Sequence, residues 1–411
     1  MKNAVVNSAL LLGSTVLVWL VIELALFPAL VPHLPMRLHS YLGEVAPLAQ
    51  SSKRGLRPEG DWVLLVGDSY AKGNGDWFLS VDKDANPPFQ AAHVLHERSG
   101  RDVLNFGLPG AGNVYGWNRL PEEHMTWLHL SWRYDVAAPA TVFAYFYEGN
   151  DLNDNLKRVR LHYPDGIPDG FFEGTAAVDR FIEAEAAYMH HGKKTLFYNM
   201  FAAKFVRRLV RGEWHRRRDN AEGRRATEAQ TMDAPAASNS AAPRSANRLL
   251  IGGKVVGYAG GLQSPAMELN ELETEGALLI TARSLLRLKR QFQSSRIVVV
   301  YIPSPLSIYE PAAGDFMIQT YQGGPNSFAA SDIRRRSDAL CQRVNAIVHK
   351  AGLEFVDARA VLRNAAQIEP IHGPKDWKHL NETGHRSLAG VLEAGLFAGR
   401  PSKPCGKLAD N

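Results

Sequence analysis

Five short runs rich in β-branched and aromatic residues, separated by helical patterns, limit the fold of this chain more than any other feature. They are Trp62–Val66, Val103–Phe106, Thr141–Tyr147, Arg296–Ile302 and Leu353–Val356. The first is continuously apolar, as expected of a strand buried on both faces. Between them, Pro87 and Pro88 open a helical pattern with Ala91, Val94 and Leu95, and Gly100 closes it. Met267–Phe292 repeats leucine at helical spacing, Ser331–Ala351 stops at Gly352, and Asn381 caps a last helix through His385 to about Leu396. Strands alternating with helices predict a parallel sheet with right-handed crossovers. In such sheets ligands bind outside the carboxyl ends of the strands.

Ahead of this pattern, the run from Ala4 to Val31 carries one ionisable side chain, Glu23. About 20 apolar residues suffice to cross a bilayer. A secretory signal would have a shorter apolar region followed by a small-x-small cleavage site, whereas this run ends in Phe27-Pro28-Ala29-Leu30-Val31-Pro32. An uncleaved anchor is therefore expected, with Lys2 on the cytoplasmic side and the remainder exported. Glu23 is costly in lipid and should meet a partner or lie at the outer interface. The expected organisation is an anchor at 1–31, a connector at 32–60, one α/β domain over 61–400 and a flexible tail at 401–411. The stretch 152–265 reads as an insertion, helical around Ala176–Tyr188 and Leu196–Val210 and flexible at Thr231–Asn247, with disorder expected around 215–247.

The formal charge of +5 is not spread evenly. Lys204 to Arg225 contains nine basic residues against three acidic ones, so the rest of the chain is near neutral and nucleic acid is not an expected partner. The segment's aromatics at helical spacing suit an anionic membrane surface, an acidic polysaccharide or an ordinary solvated helix. Cys341 and Cys405 could pair, and no Cys/His cluster has metal-ligand spacing, so neither metal nor cofactor is expected.

Four short segments follow the strand-like runs. Gly67-Asp68-Ser69-Tyr70 offers a serine, which needs a base and oxyanion donors to act as a nucleophile. Ala71 replaces the last glycine of a Gly-x-Ser-x-Gly elbow, which excludes that pattern. Gly107-Leu108-Pro109-Gly110 can turn backbone N–H groups toward a ligand, and Asn150 of Gly149-Asn150-Asp151 can donate a neutral amide hydrogen bond. Asp376 lies three residues before His379, close enough on a turn to orient the imidazole as a base. His385, nine residues from Asp376 and inside the last helix, is expected to pack or cap. Trp77, Trp117 and Trp377 could stack on sugar rings or fill the core.

This ordered set, Gly-Asp-Ser, Asn-x-Gly-x-x-Gly, Gly-Asn-Asp and Asp-x-x-His-Leu-Asn-x-x-Gly-His, resembles the SGNH/GDSL hydrolase superfamily over roughly Trp62 to Leu396. The resemblance implies a flavodoxin-like three-layer α/β/α fold with about five parallel strands. It also implies metal-free ester hydrolysis or acyl transfer, with Ser69, His379 and Asp376 as triad. Ser69 N–H, Gly110 N–H and Asn150 would form the oxyanion hole. Tyr70 departs from the usual leucine, and the insertion after Asn150 is unusually long. An N-terminal anchor with an exported domain is similar to bacterial proteins that add or remove acyl groups on envelope polysaccharides. The expected substrate is an acylated carbohydrate or another ester, at the periplasmic side of the inner membrane. The alternative is a catalytically silent domain of the same fold that binds glycan or an envelope assembly partner.

Overall fold

The computed structural model describes residues 2–130, 136–187, 200–215, 247–258, 262–312, 314–320, 325–397 and 405–407. The chain divides into two units. The larger comprises Ser52–Val81, Pro88–Met189 and Pro243–Asn411. Its centre is a five-stranded parallel sheet of β1 (Val63–Gly67), β2 (Val103–Gly107), β3 (Thr141–Tyr147), β4 (Arg296–Ile302) and β5 (Glu354–Asp357). The order is β5-β4-β3-β1-β2, the doubly wound arrangement whose direction of build reverses at β1. All neighbours pair in parallel, from Val63 opposite Val103 and Thr141 to Glu354 opposite Val298.

Both faces of the sheet are covered, which is why its central strands read as unbroken apolar runs. Val63, Leu65, Phe143, Tyr145, Val298 and Val300 share one core with Leu95 of helix Ala91–Ser99, Leu362 of Arg359–Ile368 and Leu388 and Leu392 of Glu382–Phe397. The alternate residues Leu64, Val66, Leu104, Val142, Ala144 and Val299 are buried as well. Facing them, Trp117 donates its Nε1–H to the Tyr145 carbonyl at 2.9 Å. The helix Glu271–Gln291 packs on Asp151–His162 and Thr175–Ala186. Asn270 caps that long helix through the Glu273 N–H, and Asn381 accepts from Gly384 N–H at the start of the last one.

Two antiparallel strand pairings lie outside the sequence expectations, and a disulfide joins the two cysteines whose pairing the sequence left open. Asn247–Ile251 and Lys254–Tyr258 form a hairpin across Gly252-Gly253, both with positive φ, and Glu310–Pro311 joins it. Phe316–Gln319 pairs with Pro325–Phe328. Cys341 and Cys405 are disulfide-bonded, and Arg359 binds Asp338, Asp357 and the Gly406 carbonyl beside them. Most of the stretch expected to be flexible, Thr231–Asn247, lies outside the described residues, and Asn247 opens the hairpin.

The smaller unit comprises Met1–Ser51, Asp82–Pro87 and His190–Ala242. Its helix over Asn3–His33 contains an 18-residue window of mean hydropathy 2.3 and is long and apolar enough to cross a membrane. Glu23, the one charge in that run, has a partner. Its carboxylate accepts the N–H groups of Phe201, Ala202 and Ala203 at 2.8, 3.0 and 3.2 Å, at the start of helix 201–215. Phe27 packs on Phe205 with ring centroids 5.6 Å apart, and Arg208 binds Glu44 and the Leu42 carbonyl. Burial pushes the Glu44 carboxyl up, but the Arg208 and Lys204 charges and the hydrogen bonds it accepts together outweigh this and hold it low.

Candidate active site

Ser69 begins a single helical turn, Ser69–Lys72, directly after β1. The chain enters the turn through Gly67 at φ 154°, where an added Cβ would stand 2.9 Å from the Tyr145 Cβ. Asp68 caps the turn by accepting the Tyr70 N–H at 2.9 Å. The carboxyl end of β1, beside the point where the sheet reverses, thus lifts the Ser69 hydroxyl out of the sheet.

His379 and Asp376 reach the same edge from the loop before the last helix. His379 Nε2 lies 2.8 Å from Ser69 Oγ, and its Nδ1 lies 2.6 Å from Asp376 Oδ2. Burial raises the Asp376 carboxyl, but the His379 ring and the Lys378 and His379 N–H groups more than offset it, so its acidity is enhanced. The loop is tied down on several sides. Asp76 accepts the N–H groups of Lys375 and Asp376 at 2.9 and 2.6 Å. Tyr70 donates its hydroxyl to the Lys378 carbonyl at 2.8 Å, and Tyr309 Oη accepts from Ile371 and His372 N–H. Gly75 allows the closest approach: a Cβ there would lie 2.1 Å from the Leu380 carbonyl oxygen.

Ser69, Gly110, Asn150 and His379 line one cavity of about 410 Å³. The loop carrying Gly110 is locked to the segment carrying Asn150 by a buried polar cluster. Asn113 donates to Asp151 at 2.9 Å, and its side-chain oxygen accepts from Asn155 and Thr281. Asp151 also takes the Tyr147 N–H at 3.0 Å. The structure therefore brings all five sequence-selected residues to one edge: Ser69, His379 and Asp376 in hydrogen-bonded sequence, with Gly110 and Asn150 lining the same cavity as Ser69 and His379. Asn150 also supports the ionised form of Asp68, whose carboxyl is raised chiefly by burial.

His385 is not part of this group. It is buried, its Nε2 faces the Asn74 carbonyl at 3.4 Å, and burial lowers it to about 4. The three tryptophans do not line the cavity. Trp117 is a core residue, Trp377 packs on Tyr258 and Tyr309, and Trp77 lies against His385 and under the Arg386 guanidinium.

Pro109 and Lys378 of the sequence motifs also line the cavity, and Asp154, Lys157, Gln263, Gln319 and Thr320, not selected from the sequence, complete the wall. Asp154 and Lys157 follow Asn150 by four and seven residues, so the cavity face of helix Asp151–His162 was open to a helical-spacing argument. Asp154 is buried, one of its oxygens has no partner among the described residues, and burial followed by the nearby Asp68 charge pushes it up to about 7. Tyr147 donates its hydroxyl to Gln263 at 2.6 Å, which holds that amide at the cavity wall.

Such an arrangement can take a proton from a serine hydroxyl, hold the resulting imidazolium against a carboxylate and present donors opposite the attacked atom. Comparison of the chain with protein-family models, curated proteins and solved structures finds no match, so its assignment rests on this geometry.

Proposed function

We propose that the protein is a membrane-anchored serine esterase or O-acyltransferase of the SGNH/GDSL type, acting on an acyl group carried by a carbohydrate at the cell envelope. The observation that carries this reading is the hydrogen-bonded line from Asp376 through His379 to Ser69, 2.6 and 2.8 Å, ending in a cavity walled by Gly110 and Asn150. The strand order, with the serine at the reversal point of a parallel sheet, supports the same family.

His379 Nε2 takes the hydroxyl proton as Ser69 Oγ bonds to the acyl carbon and the carbonyl electron pair moves to oxygen. The N–H groups of Ser69 and Gly110 and the Asn150 amide donate to that oxyanion. Asp376 stays ionised and holds the imidazolium in place. Collapse of the intermediate breaks the bond to the alcohol oxygen, which leaves with the proton from His379. Water or a second sugar hydroxyl then gives its proton to His379 and bonds to the acyl carbon; the bond to Ser69 Oγ breaks, and that oxygen takes the proton back from His379. An apolar N-terminal helix and a disulfide between Cys341 and Cys405 both suit an exported domain in an oxidising compartment.

The test is covalent labelling of the full-length detergent-solubilised protein with a fluorophosphonate. Labelling of the wild type and its loss in both Ser69→Ala and His379→Ala is the expected result. Labelling that persists in Ser69→Ala, or a folded wild type that never reacts, overturns the assignment and makes glycan or partner binding the leading account.

A further inference from the structure

We propose that the outward face of helix 201–215 docks on an anionic phospholipid surface, beside the point where the N-terminal helix leaves the bilayer. The inward face of this helix is accounted for: Phe201, Ala202 and Phe205 are buried, and Lys204 and Arg208 turn to Glu44. The outward face consists of two adjacent rows at four-residue spacing. One is Val206, Val210 and Trp214, which are 54, 63 and 70% exposed. The other is Arg207, Arg211 and His215, also exposed. Residues four apart stack along one side of a helix, so each row is continuous.

An apolar row ending in tryptophan beside a cationic row is the pattern of a helix lying in a membrane interface. The apolar row enters the acyl boundary, tryptophan sits at headgroup level, and the arginines meet lipid phosphates. Position on the chain selects a membrane as the occupant. The Glu23 carboxylate, on the apolar helix itself, caps the first turn of helix 201–215, and Phe27 packs on Phe205. The helix therefore starts against the last third of the Asn3–His33 span. Charge completes the argument, since the exposed polar row contains arginine and histidine and no carboxylate. The inference rests on reading that span as crossing a membrane and is independent of the serine chemistry.

The test uses the full-length chain with Val210→Cys, its native cysteines remaining in their disulfide, carrying an environment-sensitive fluorophore. The protein is reconstituted in vesicles of phosphatidylcholine alone or mixed with phosphatidylglycerol, with nitroxide lipids as quencher. Leu11→Cys marks the span and Leu272→Cys an exposed site on the larger unit. Position 210 should shift to the blue and be quenched in the phosphatidylglycerol vesicles, position 11 quenched in both, and position 272 in neither. Arg207→Glu with Arg211→Glu, or raised salt, should lower the quenched fraction at position 210 by roughly twofold or more. Quenching at 11 with none at 210 overturns the docking alone. A blue shift at 210 without lipid quenching, growing with protein density, assigns the face to a second copy and overturns it too. Absence of quenching at 11 removes the span and the inference with it.

Discussion

Asp154 places a titrating charge in the cavity that the triad itself does not require. It stands on the helix turn after Asn150, with one carboxyl oxygen buried and unpartnered among the described residues. Burial and the Asp68 charge lift it to about 7, so it is neutral below that pH and anionic above. Neutral and anionic acyl groups should therefore be discriminated differently on either side of pH 7. The ratio of kcat/KM for an acetyl ester to that for a succinyl ester should rise by about tenfold as pH passes from 6 to 8. That corresponds to about 1.4 kcal/mol, modest for two charges in a partly desolvated site. In Asp154→Asn the ratio should stay flat. Taking a ratio cancels any pH effect common to both substrates, so a wild-type ratio that does not move would remove Asp154 from substrate selection.

At the scale of elements, the loop 372–381 matters most, because it carries both the base and its orienting carboxylate. Asp76, in the first turn of the short helix Asp76–Val81, holds two of its N–H groups. Removing that carboxylate loosens the loop at the Lys375 and Asp376 N–H groups and leaves the side chains of Ser69, His379 and Asp376 unaltered. Asp76→Ala should slow fluorophosphonate labelling on the order of a hundredfold, the cost of misplacing a reacting group by about 1 Å. Asp76→Asn, which keeps one acceptor oxygen, should fall between the two. Equal labelling rates in wild type and Asp76→Ala would show that Tyr70 and Tyr309 suffice to position the loop. This clamp was invisible in the sequence, because the two partners of the shorter bond are 300 residues apart and neither has a local pattern announcing the other. The five strands and the site motifs were legible for the opposite reason. Continuous apolar runs mark the central strands, which are buried on both faces, the Gly352 helix stop marks the start of β5, and Gly67, Gly110, Asn150 and Asp376 each follow a strand or precede a capped helix. The hairpin Asn247–Tyr258 fell between these cases. Its Gly252-Gly253 turn was readable, but it adjoins a long polar stretch, and its third strand, Glu310–Pro311, comes from the far side of β4.

On the scale of the whole molecule, the larger unit buries ionisable groups whose linkages to pH have opposite signs. Burial lowers His372 to about 3 and His385 to about 4, so both stay neutral in the folded protein where the unfolded chain binds protons. Stability therefore falls as pH drops below about 6.5, by on the order of 3 kcal/mol for His385 at its limit. Asp154 acts in reverse. With its folded pKa at about 7 against 3.8 unfolded, the folded state holds the extra proton between those values, and stability rises as pH falls through that window. Asp68 and Asp151, raised first by burial, work in the same direction as Asp154. The windows overlap between pH 4 and 6.5, so the wild type should show a shallow dependence there. Single substitutions should uncover the two halves. In His385→Gln, which keeps a neutral donor facing the Asn74 carbonyl, denaturant stability should increase relative to wild type as pH falls from 7 to 4. In Asp154→Asn it should decrease over the same range. The comparison uses slopes, so any pH-independent cost of either substitution drops out. Parallel slopes in wild type and both variants would mean that neither group titrates differently in the folded and unfolded chain, and that the interior around the site admits water.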